Sequence, residues 1–442
     1  MIGYGTVGTG VAKILLEQKD LICSRVGASL VLKHVADIDI ETDRGLRLDA
    51  GVLTNDARAV VDDPDIDIIV EMIGGEGIAK ELILRAIENG KNVVTANKAL
   101  LASQGNAIFR AADEKGVDLA FEASIGGCMP IVKSLRESLV GNRIESMVGI
   151  LNGTCNYILT KISEEGSTFD VALAEAQAAG FAEADPTLDV EGIDTAHKLA
   201  LLCSLAYGME INLADIYTEG ISDITPFDIR IAGEFGYRIK LLAISKCRGD
   251  AIEARVHPTM IPEDNLLSRV GGSLNAITLS GDSVGDMMLY GHGAGMMPTA
   301  SAVVGDIADI ARNLLCRTTG RVPSLSYQRA QIRKIPIIPV DDIYTHYYFR
   351  FLVLDQAGVL SKLSGILGKH DISMKSVQQR GRKIKGAIPL VILSHLAKEA
   401  DVRKALAEIA ALEAVSDTPM FIRMEGDPEE DRPADNPDMT DG

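Results

Sequence analysis

The chain has 442 residues, 47% hydrophobic and 24% charged, which is typical of a globular protein with two or three domains. A formal net charge of −18, an aromatic content of 4% and the absence of tryptophan argue against nucleic-acid binding. No apolar run approaches the ~20 residues of a membrane span. The six cysteines are scattered without a C-x-x-C pair, so we expect neither a zinc site nor disulfides, and a reducing, cytoplasmic location.

Residues 1–129 alternate predicted strands and helices. The run 66–72 is almost continuously apolar, as in a parallel strand covered on both faces. The alternation predicts an α/β fold with a doubly wound, Rossmann-type nucleotide-binding domain. The predicted strands are 30–36, 66–72, 92–95 and 117–121, and the predicted helices are 11–18, 79–89 and 105–115.

A glycine-rich loop, Gly3-Tyr-Gly-Thr-Val-Gly8, opens the first helix. In a dinucleotide site the first glycine makes a tight turn, Gly5 lets the backbone approach a pyrophosphate, and Gly8 allows close helix–strand packing. The helix N-terminus then receives the anion. Only Met1 and Ile2 precede this loop, although the first strand of such a sheet is central, so we expect the natural chain to begin several residues upstream.

Residues after the predicted strand 30–36 bear on the choice of cofactor. Asp37 can accept a hydrogen bond from a ribose 2′-hydroxyl, which favours NAD. Arg44 or Arg58 can instead accommodate a 2′-phosphate, which favours NADP. Both cofactors therefore remain open at this point.

Residues 180–198 form the segment with the highest density of acids. Asp194 and Lys198 are four apart in the first turns of a predicted helix, which places them on one helix face. An ammonium group among carboxylates and apolar neighbours has a pKa that can be tuned for proton transfer, although a surface ion pair is the alternative. His197 faces about 100° away and is predicted to be structural. The acids are Glu183, Asp185, Asp189, Glu191 and Asp194.

Three loops carry further polar candidates. Lys98 follows the strand 92–95, at the sheet edge where ligands bind, and the alternative is a solvated lysine at a helix start. The loop 122–129 offers Glu122 and backbone carbonyls suited to a hard cation, and the alternative is a structural turn. The loop 152–156 offers amides and the Thr154 hydroxyl, and the alternative is a helix N-cap.

The remaining chain predicts a separate module and two connecting or terminal segments. Residues 346–424 follow the order βαββαβ of a ferredoxin-like module, with strands at 347–354, 374–378, 390–393 and 420–423 and helices at 359–369 and 399–412. We expect a helix at 299–316 to return to the first domain and 317–345 to be a linker. The tail 425–442 has eight acids against one arginine and is expected to be disordered.

Taken in order, these motifs resemble homoserine dehydrogenase of the form that carries a C-terminal ACT domain. The resemblance runs from Gly3 to about Met424. Its specific motifs are Val70-Glu-Met-Ile-Gly-Gly75, Thr95-Ala-Asn-Lys98, Glu122-Ala-Ser-Ile-Gly-Gly127, Asn152-Gly-Thr154, the segment 180–198, His257-Pro258, Asn275-Ala-Ile277 and Gly293-Ala-Gly295.

The resemblance implies NAD(P)-dependent interconversion of L-homoserine and L-aspartate 4-semialdehyde in threonine, methionine and isoleucine biosynthesis. It also implies an α+β substrate and dimerisation domain at 130–316, a homodimer or homotetramer, and an L-threonine effector bound near the turn 355–359 of the ACT domain. The implied residues are catalytic Lys198, Asp194 and Lys98; substrate-binding Glu183, Asp189 and Thr154; cofactor-binding Gly3, Gly5, Thr6, Val7, Gly8, Gly74, Lys98 and Gly295; and, for a sodium ion, Glu122, Ile125, Gly127 and Met129.

Two other readings remain. One is an amino-acid-sensing protein whose dehydrogenase site is inactive, against which the intact Lys98, Glu183, Asp194 and Lys198 argue. The other is a dehydrogenase for a different small amino or hydroxy acid.

Overall fold

The computed structural model describes residues 1–379 and 387–426. Within these residues no helix is both long and apolar enough to cross a membrane. Residues 427–442 of the expected disordered tail lie outside the described part. Glu425, the first residue of that tail, is described, and its carboxylate contacts Lys246 and Arg255.

The first domain is a parallel sheet with helices on both faces. Neighbouring side chains of one strand pack on opposite faces of the sheet. Ile69 belongs to the hydrophobic cluster that includes the helices after this strand, and Val70 belongs to the cluster that includes the first helix. This pattern confirms the predicted doubly wound fold. The strands are β1 (Val35–Ala36), β2 (Leu53–Thr54), β3 (Ile68–Glu71), β4 (Asn92–Thr95) and β5 (Leu119–Ala120), and the helices are α1 (Thr6–Glu17), α2 (Lys19–Val26), α3 (Ala57–Asp62), α4 (Gly77–Glu88) and α5 (Lys98–Lys115).

Met1 and Ile2 occupy the central position of this sheet. Ile2 forms parallel bridges to Ala36 on one side and to Glu71 on the other. The buried amino group of Met1 donates to the carbonyl of His34 at 2.8 Å, and burial lowers its pKa to about 5. These bridges join β1 and β2 to β3, β4 and β5 in one sheet.

Several boundaries differ from the sequence prediction; the helix predicted at 11–18, for example, begins at Thr6. The strand predicted at 30–36 is reduced to Val35–Ala36. The helix predicted from residue 105 begins at Lys98 instead, because the Asn97 side chain accepts a hydrogen bond from the Leu100 N–H and caps it there.

The middle of the chain builds a mixed sheet covered by helices. Its last helix, α12, packs against α1 of the first domain, where Val303 and Ile307 share a cluster with Val11 and Leu15. The strands are β6 (Ile144–Ile150), β7 (Tyr217–Thr218), β8 (Tyr237–Arg248), β9 (Ala251–Pro262), β10 (Leu274–Gly281) and β11 (Gly285–His292), and the helices are α6 (Ile131–Lys133), α7 (Gly153–Glu165), α8 (Phe169–Ala178), α9 (Thr187–Val190), α10 (Ile193–Tyr207), α11 (Pro226–Glu234) and α12 (Met296–Leu315).

The C-terminal module confirms the ferredoxin-like order, with strands paired in the order β16-β12-β14-β13. Alternate residues of β12 face opposite ways: Phe349 packs against the module's own helices, and Tyr348 reaches Asp228 of α11. The elements are β12 (Tyr344–Val353), α13 (Val359–Lys369), β13 (Met374–Gln379), β14 (Ile388–Ser394), β15 (Ala397–Lys398), α14 (Glu399–Ala410) and β16 (Met420–Met424).

The two C-terminal parts of the chain share one sheet. Strand β16 pairs in parallel with β9, with Arg423 opposite Thr259 and Met424 opposite Met260. The resulting strand path in the described residues is β11-β10-β6-β8-β9-β16-β12-β14-β13. The C-terminal module is therefore joined to the middle domain by backbone hydrogen bonds as well as by side chains.

Candidate active site

The predicted lysine and aspartate of α10 meet a second lysine from the first domain. Lys198 Nζ lies 2.8 Å from Asp194 Oδ2, and Lys98 Nζ lies 2.9 Å from Asp194 Oδ1. Lys98 stands at the start of α5, and Asp194 in the first turn of α10. One carboxylate therefore binds two ammonium groups where the two domains meet.

Burial and the neighbouring charges together set the protonation of these groups. Lys198 is 6% exposed, and its pKa is lowered because burial disfavours the ammonium, although Asp194 opposes the shift. Burial would raise the pKa of Asp194, but the two lysines hold it well below its usual range. Asp194 raises the pKa of Lys98 against the effect of burial. Lys198 is thus the lysine of the pair that more readily becomes neutral.

Residues at the start of α7 form hydrogen bonds with the acids of this cluster. Asn152 caps this helix by accepting from the Cys155 N–H, and its Nδ2 donates to Asp189 at 2.7 Å and to Asp194 at 3.1 Å. The Thr154 hydroxyl lies 3.1 Å from Asp189 Oδ2. Burial raises the pKa of Asp189. The helix-cap alternative is therefore correct for Asn152, and the same side chain also ties two of the acids together.

Glu183 lies near this cluster in an exposed position. Its charge raises the pKa of Lys98, but within the described residues its carboxylate has no ion-pair partner. A free carboxylate beside a fixed Lys–Asp–Lys cluster can receive a cationic group.

The glycine-rich loop has the close contacts that its spacing predicts. Gly3 has φ +98°, and a Cβ there would lie 2.7 Å from the backbone of Met72. A Cβ on Gly8 would lie 2.2 Å from the Gly3 oxygen, whereas one on Gly5 would meet nothing within 4 Å. The loop therefore packs tightly beneath α1 and leaves an open face at Gly5. Thr6 begins α1 there, so the first N–H groups of the helix lack intrahelical partners.

Asp37 is fixed beside that open face. Its carboxylate accepts from the backbone N–H of Tyr4 at 2.5 Å and of Asp39 at 2.9 Å. The Arg44 guanidinium lies 3.6 Å from Asp37 and stacks 5.0 Å above the Tyr4 ring centroid. Arg58 instead pairs with Glu81 on the surface.

Glu71 is a positioning residue that the sequence analysis quoted only as part of a motif. It is fully buried, accepts from the N–H groups of Ile73 and Gly74, and receives the Thr95 hydroxyl at 2.6 Å. It thereby ties the turn that contains Gly74 (φ +69°) to the end of β4.

Gly295 and the loop 122–129 lie on adjacent segments. Gly295 caps α12 with φ +119°, and a Cβ on Gly127 would lie 2.5 Å from the backbone of Gly293. The Cys128 N–H also donates to the His292 oxygen at 3.0 Å.

Glu122 makes structural contacts in this loop. Its carboxylate accepts the backbone N–H groups of Val132 and Lys133, each at 2.8 Å, and burial raises its pKa. The Glu122 N–H donates to Asp306, whose pKa is raised by burial to about 7. Of the carbonyls in the predicted ion site, that of Met129 accepts from the Ile131 N–H. In the described chain no three His, Cys, Asp or Glu side chains cluster as a metal site.

A glycine-rich loop of the dinucleotide-binding type occurs in the first domain, and a buried lysine–carboxylate cluster lies at its junction with the middle domain. This combination is typical of a nicotinamide-dependent oxidoreductase. Three family models match the chain: "Homoserine dehydrogenase, NAD binding domain" at residues 3–122, "Homoserine dehydrogenase" at 130–308, and "ACT domain" at 347–414. The chain belongs to the homoserine dehydrogenase family.

Two known relatives match this chain over almost its whole length, and a third matches it over 70%. A homoserine dehydrogenase of Neisseria gonorrhoeae is 44% identical over 425 residues, which is 96% of this chain and 98% of the relative. The crystal structure of a homoserine dehydrogenase from Thiobacillus denitrificans is 45% identical, with a TM-score of 0.91 over 96% of this chain and 97% of that one. A hyperthermophilic archaeal homoserine dehydrogenase in complex with NADPH is 28% identical, with a TM-score of 0.60 over 70% of this chain and 95% of that one.

Proposed function

We propose that this chain interconverts L-homoserine and L-aspartate 4-semialdehyde in threonine, methionine and isoleucine biosynthesis, with Lys198 as the group that moves the proton. The observation that carries the proposal is the Lys98–Asp194–Lys198 cluster at the junction of the two domains. The bound nicotinamide supplies the chemistry of hydride exchange with the alcohol carbon. The protein must then place that carbon and manage one proton.

Lys198 suits proton transfer in both directions. In alcohol oxidation neutral Lys198 takes the hydroxyl proton, and in aldehyde reduction charged Lys198 supplies one. Its lowered pKa keeps the neutral form accessible, which is what a general base requires. Asp194 holds the Lys198 side chain in place and prevents its pKa from falling further.

The remaining polar groups bind substrate. Glu183 is the free carboxylate that receives the substrate ammonium, with Asp189 and Thr154 completing that side. Lys98, which stays charged because Asp194 raises its pKa, attracts the substrate carboxylate from the first-domain side of the cluster.

The proposed pyrophosphate site consists of Gly3, Gly5, Thr6, Val7 and Gly8. The residues proposed to lie nearer the nicotinamide are Gly74, Lys98 and Gly295. Between the two cofactors, the position of Asp37 favours NAD, because its carboxylate is fixed at the loop where a ribose 2′-hydroxyl would donate. A 2′-phosphate would instead meet Asp37 and Asp39, and Arg44 is already engaged with both acids.

We also propose that the ACT domain binds an amino-acid effector, L-threonine, near the turn 355–359. A hydrogen-bond network between the two domains supports communication with the active site: Arg423 of β16 donates to Glu219 at 2.9 Å and to the Tyr217 hydroxyl at 3.3 Å. Arg403 of α14 donates to the same hydroxyl at 3.2 Å. Tyr217 and Glu219 belong to the middle domain, and both arginines to the ACT domain.

The segment after Glu219 lies directly on the acids of the active site. The Ile221 N–H donates to the Val190 oxygen at 2.8 Å, and a Cβ on Gly220 would lie 2.3 Å from that oxygen. Val190 follows Asp189 directly. A displacement of β16 would therefore move the segment that contacts Val190, and with it the neighbouring substrate-binding acid Asp189.

A sodium ion beside Ile125, Gly127 and Met129 is also proposed. Backbone carbonyls are suitable ligands for a hard cation. The two Glu122 oxygens each already accept one N–H, so each retains one lone pair for an ion. Activity that responds to sodium but not to the same concentration of choline would support the site, and equal activity in both salts would remove it.

The assembly proposed for this chain is a homodimer or homotetramer. Light scattering during gel filtration tests it directly, because a mass near the 47.2 kDa of one chain would exclude both.

The reaction is tested by following absorbance at 340 nm with L-homoserine and either NAD or NADP, with and without L-threonine. We expect turnover of L-homoserine but not of L-serine or L-malate. A protein that binds the cofactor but does not turn over homoserine would contradict the proposed dehydrogenase activity and would favour an amino-acid-sensing role.

A further inference from the structure

Asn275, at the start of β10, shares a hydrogen-bond acceptor with Lys198. Its Nδ2 donates to the Leu151 carbonyl at 2.9 Å, and Lys198 Nζ donates to the same oxygen at 2.6 Å. Both side chains are almost completely buried, at 1% and 6% exposure. The carbonyl thus lies between the lysine and the amide.

The Asn275 amide is enclosed by backbone that approaches it closely at two glycines. A Cβ on Gly293 would lie 1.8 Å from Asn275 Nδ2, and a Cβ on Gly153 would lie 3.5 Å from Asn275 Oδ1. Gly293 belongs to the loop before α12, and Gly153 begins α7. The side chain therefore has little freedom to turn away from Leu151.

Asn275 differs from a buried asparagine with a purely structural role. Its Oδ1 is buried and has no hydrogen-bond partner among the described residues. In contrast, Asn92, which is 3% exposed, uses both ends: its Oδ1 accepts from the Asp118 N–H, and its Nδ2 donates to the Asp67 oxygen. An unpaired buried acceptor costs free energy, so packing alone does not account for Asn275.

We propose that Asn275 is a positioning residue for the reaction, which shares the Leu151 carbonyl with Lys198 and so limits how strongly that carbonyl stabilises the ammonium. An acceptor already engaged by one donor binds a second less strongly. Without Asn275 the Leu151 oxygen would belong to Lys198 alone, the charged lysine would be favoured, and its pKa would rise.

Other groups around Lys198 set the baseline for this effect. Asp194 of the same helix and Asp189 of α9 favour the charged lysine, and Lys98 of α5 opposes it. His197 of α10 and Cys155 of α7 also lie within electrostatic range of Lys198. None of these groups is changed by Asn275→Ala, so a shift in the pH profile of that variant reports on the Leu151 contact.

The test is the pH dependence of kcat for homoserine oxidation, and it rests on the proposed function. Because oxidation needs neutral Lys198, Asn275→Ala should move the acidic limb of the profile upward by roughly half to one pH unit. Asn275→Asp has a similar shape but removes the donor and adds a negative charge near Lys198. The acidic limb of its pH profile should therefore move to still higher pH. Asn92→Ala is the matched control and should lower the melting temperature without moving the limb.

The outcomes separate the two proposals. If the parent protein does not oxidise homoserine, the proposed function fails. If the parent is active but Asn275→Ala and Asn275→Asp keep its profile, or fail to fold while Asn92→Ala folds, Asn275 is only structural and this inference is overturned.

Discussion

Lys98 and Lys198 are held by opposite oxygens of one carboxylate, at 2.9 Å and 2.8 Å from Asp194. The two lysines come from different domains, and their pKa values move in opposite directions. Under the proposed function this arrangement gives the two lysines separate tasks: Lys98 stays charged and attracts an anion, whereas Lys198 loses its proton.

Replacing the shared carboxylate should reveal this division. In Asp194→Asn the attraction that raises the pKa of Lys198 is lost, so the acidic limb of the homoserine-oxidation profile should move to lower pH. The maximal kcat should fall by ~10²-fold because neither lysine is held in place. Unchanged position and height of the profile would show that Asp194 does not control Lys198.

Glu183 should act on binding more than on turnover. Glu183→Gln removes the charge that we assign to the substrate ammonium, so KM for homoserine should rise by about 10–100-fold while kcat changes little. Asp185→Asn, in the same exposed segment, is the control, because the Asp185 carboxylate accepts from Thr187. Equal effects of the two substitutions would argue against the assignment of Glu183.

Asp37 should decide the cofactor. The parent protein is expected to use NAD with a higher kcat/KM than NADP, and Asp37→Asn should raise the NADP-to-NAD ratio by ~10-fold, because the neutral amide no longer repels a 2′-phosphate. Glu41→Gln, an exposed acid of the same loop, should leave the ratio unchanged. A parent that prefers NADP, with a ratio insensitive to Asp37→Asn, would contradict the prediction.

The Tyr217 hydroxyl should transmit the effector signal. Tyr217→Phe removes the group contacted by Arg403 and Arg423 but keeps the ring, so turnover without effector should stay within about twofold. The threonine concentration for half inhibition should rise by ~3–10-fold, because the hydrogen bonds that the two arginines make to this hydroxyl are lost. Tyr344→Phe, a control substitution at an exposed residue at the start of β12, should leave inhibition by threonine unchanged. Identical inhibition of the parent and both variants would exclude this route.

Local sequence patterns predicted much of the fold. The i,i+4 spacing placed Asp194 and Lys198 on one helix face, and the helix predicted at 359–369 agrees with α13 (Val359–Lys369). The start of α5 was predicted too late because a capping side chain, Asn97, overrides the weak apolar pattern after it.

Contacts between distant segments could not be predicted in the same way. The approach of Lys98 to Asp194, the pairing of β16 with β9 and the Leu151 carbonyl beneath Lys198 all join residues far apart in sequence. A backbone carbonyl also leaves no residue-type signal. Asn275 was visible only as part of a motif, and its role depends on what the fold brings next to it.

The most direct test of the account is the turnover of Lys198→Met, which keeps the length and much of the volume of the side chain but cannot carry a proton. We predict that kcat for homoserine oxidation falls by ~10²–10⁴-fold while the dissociation constant for NADH stays within about twofold. Lys161→Met, a surface lysine paired with Glu165, should behave like the parent. A Lys198→Met variant with near-normal kcat would contradict the claim that Lys198 moves the proton.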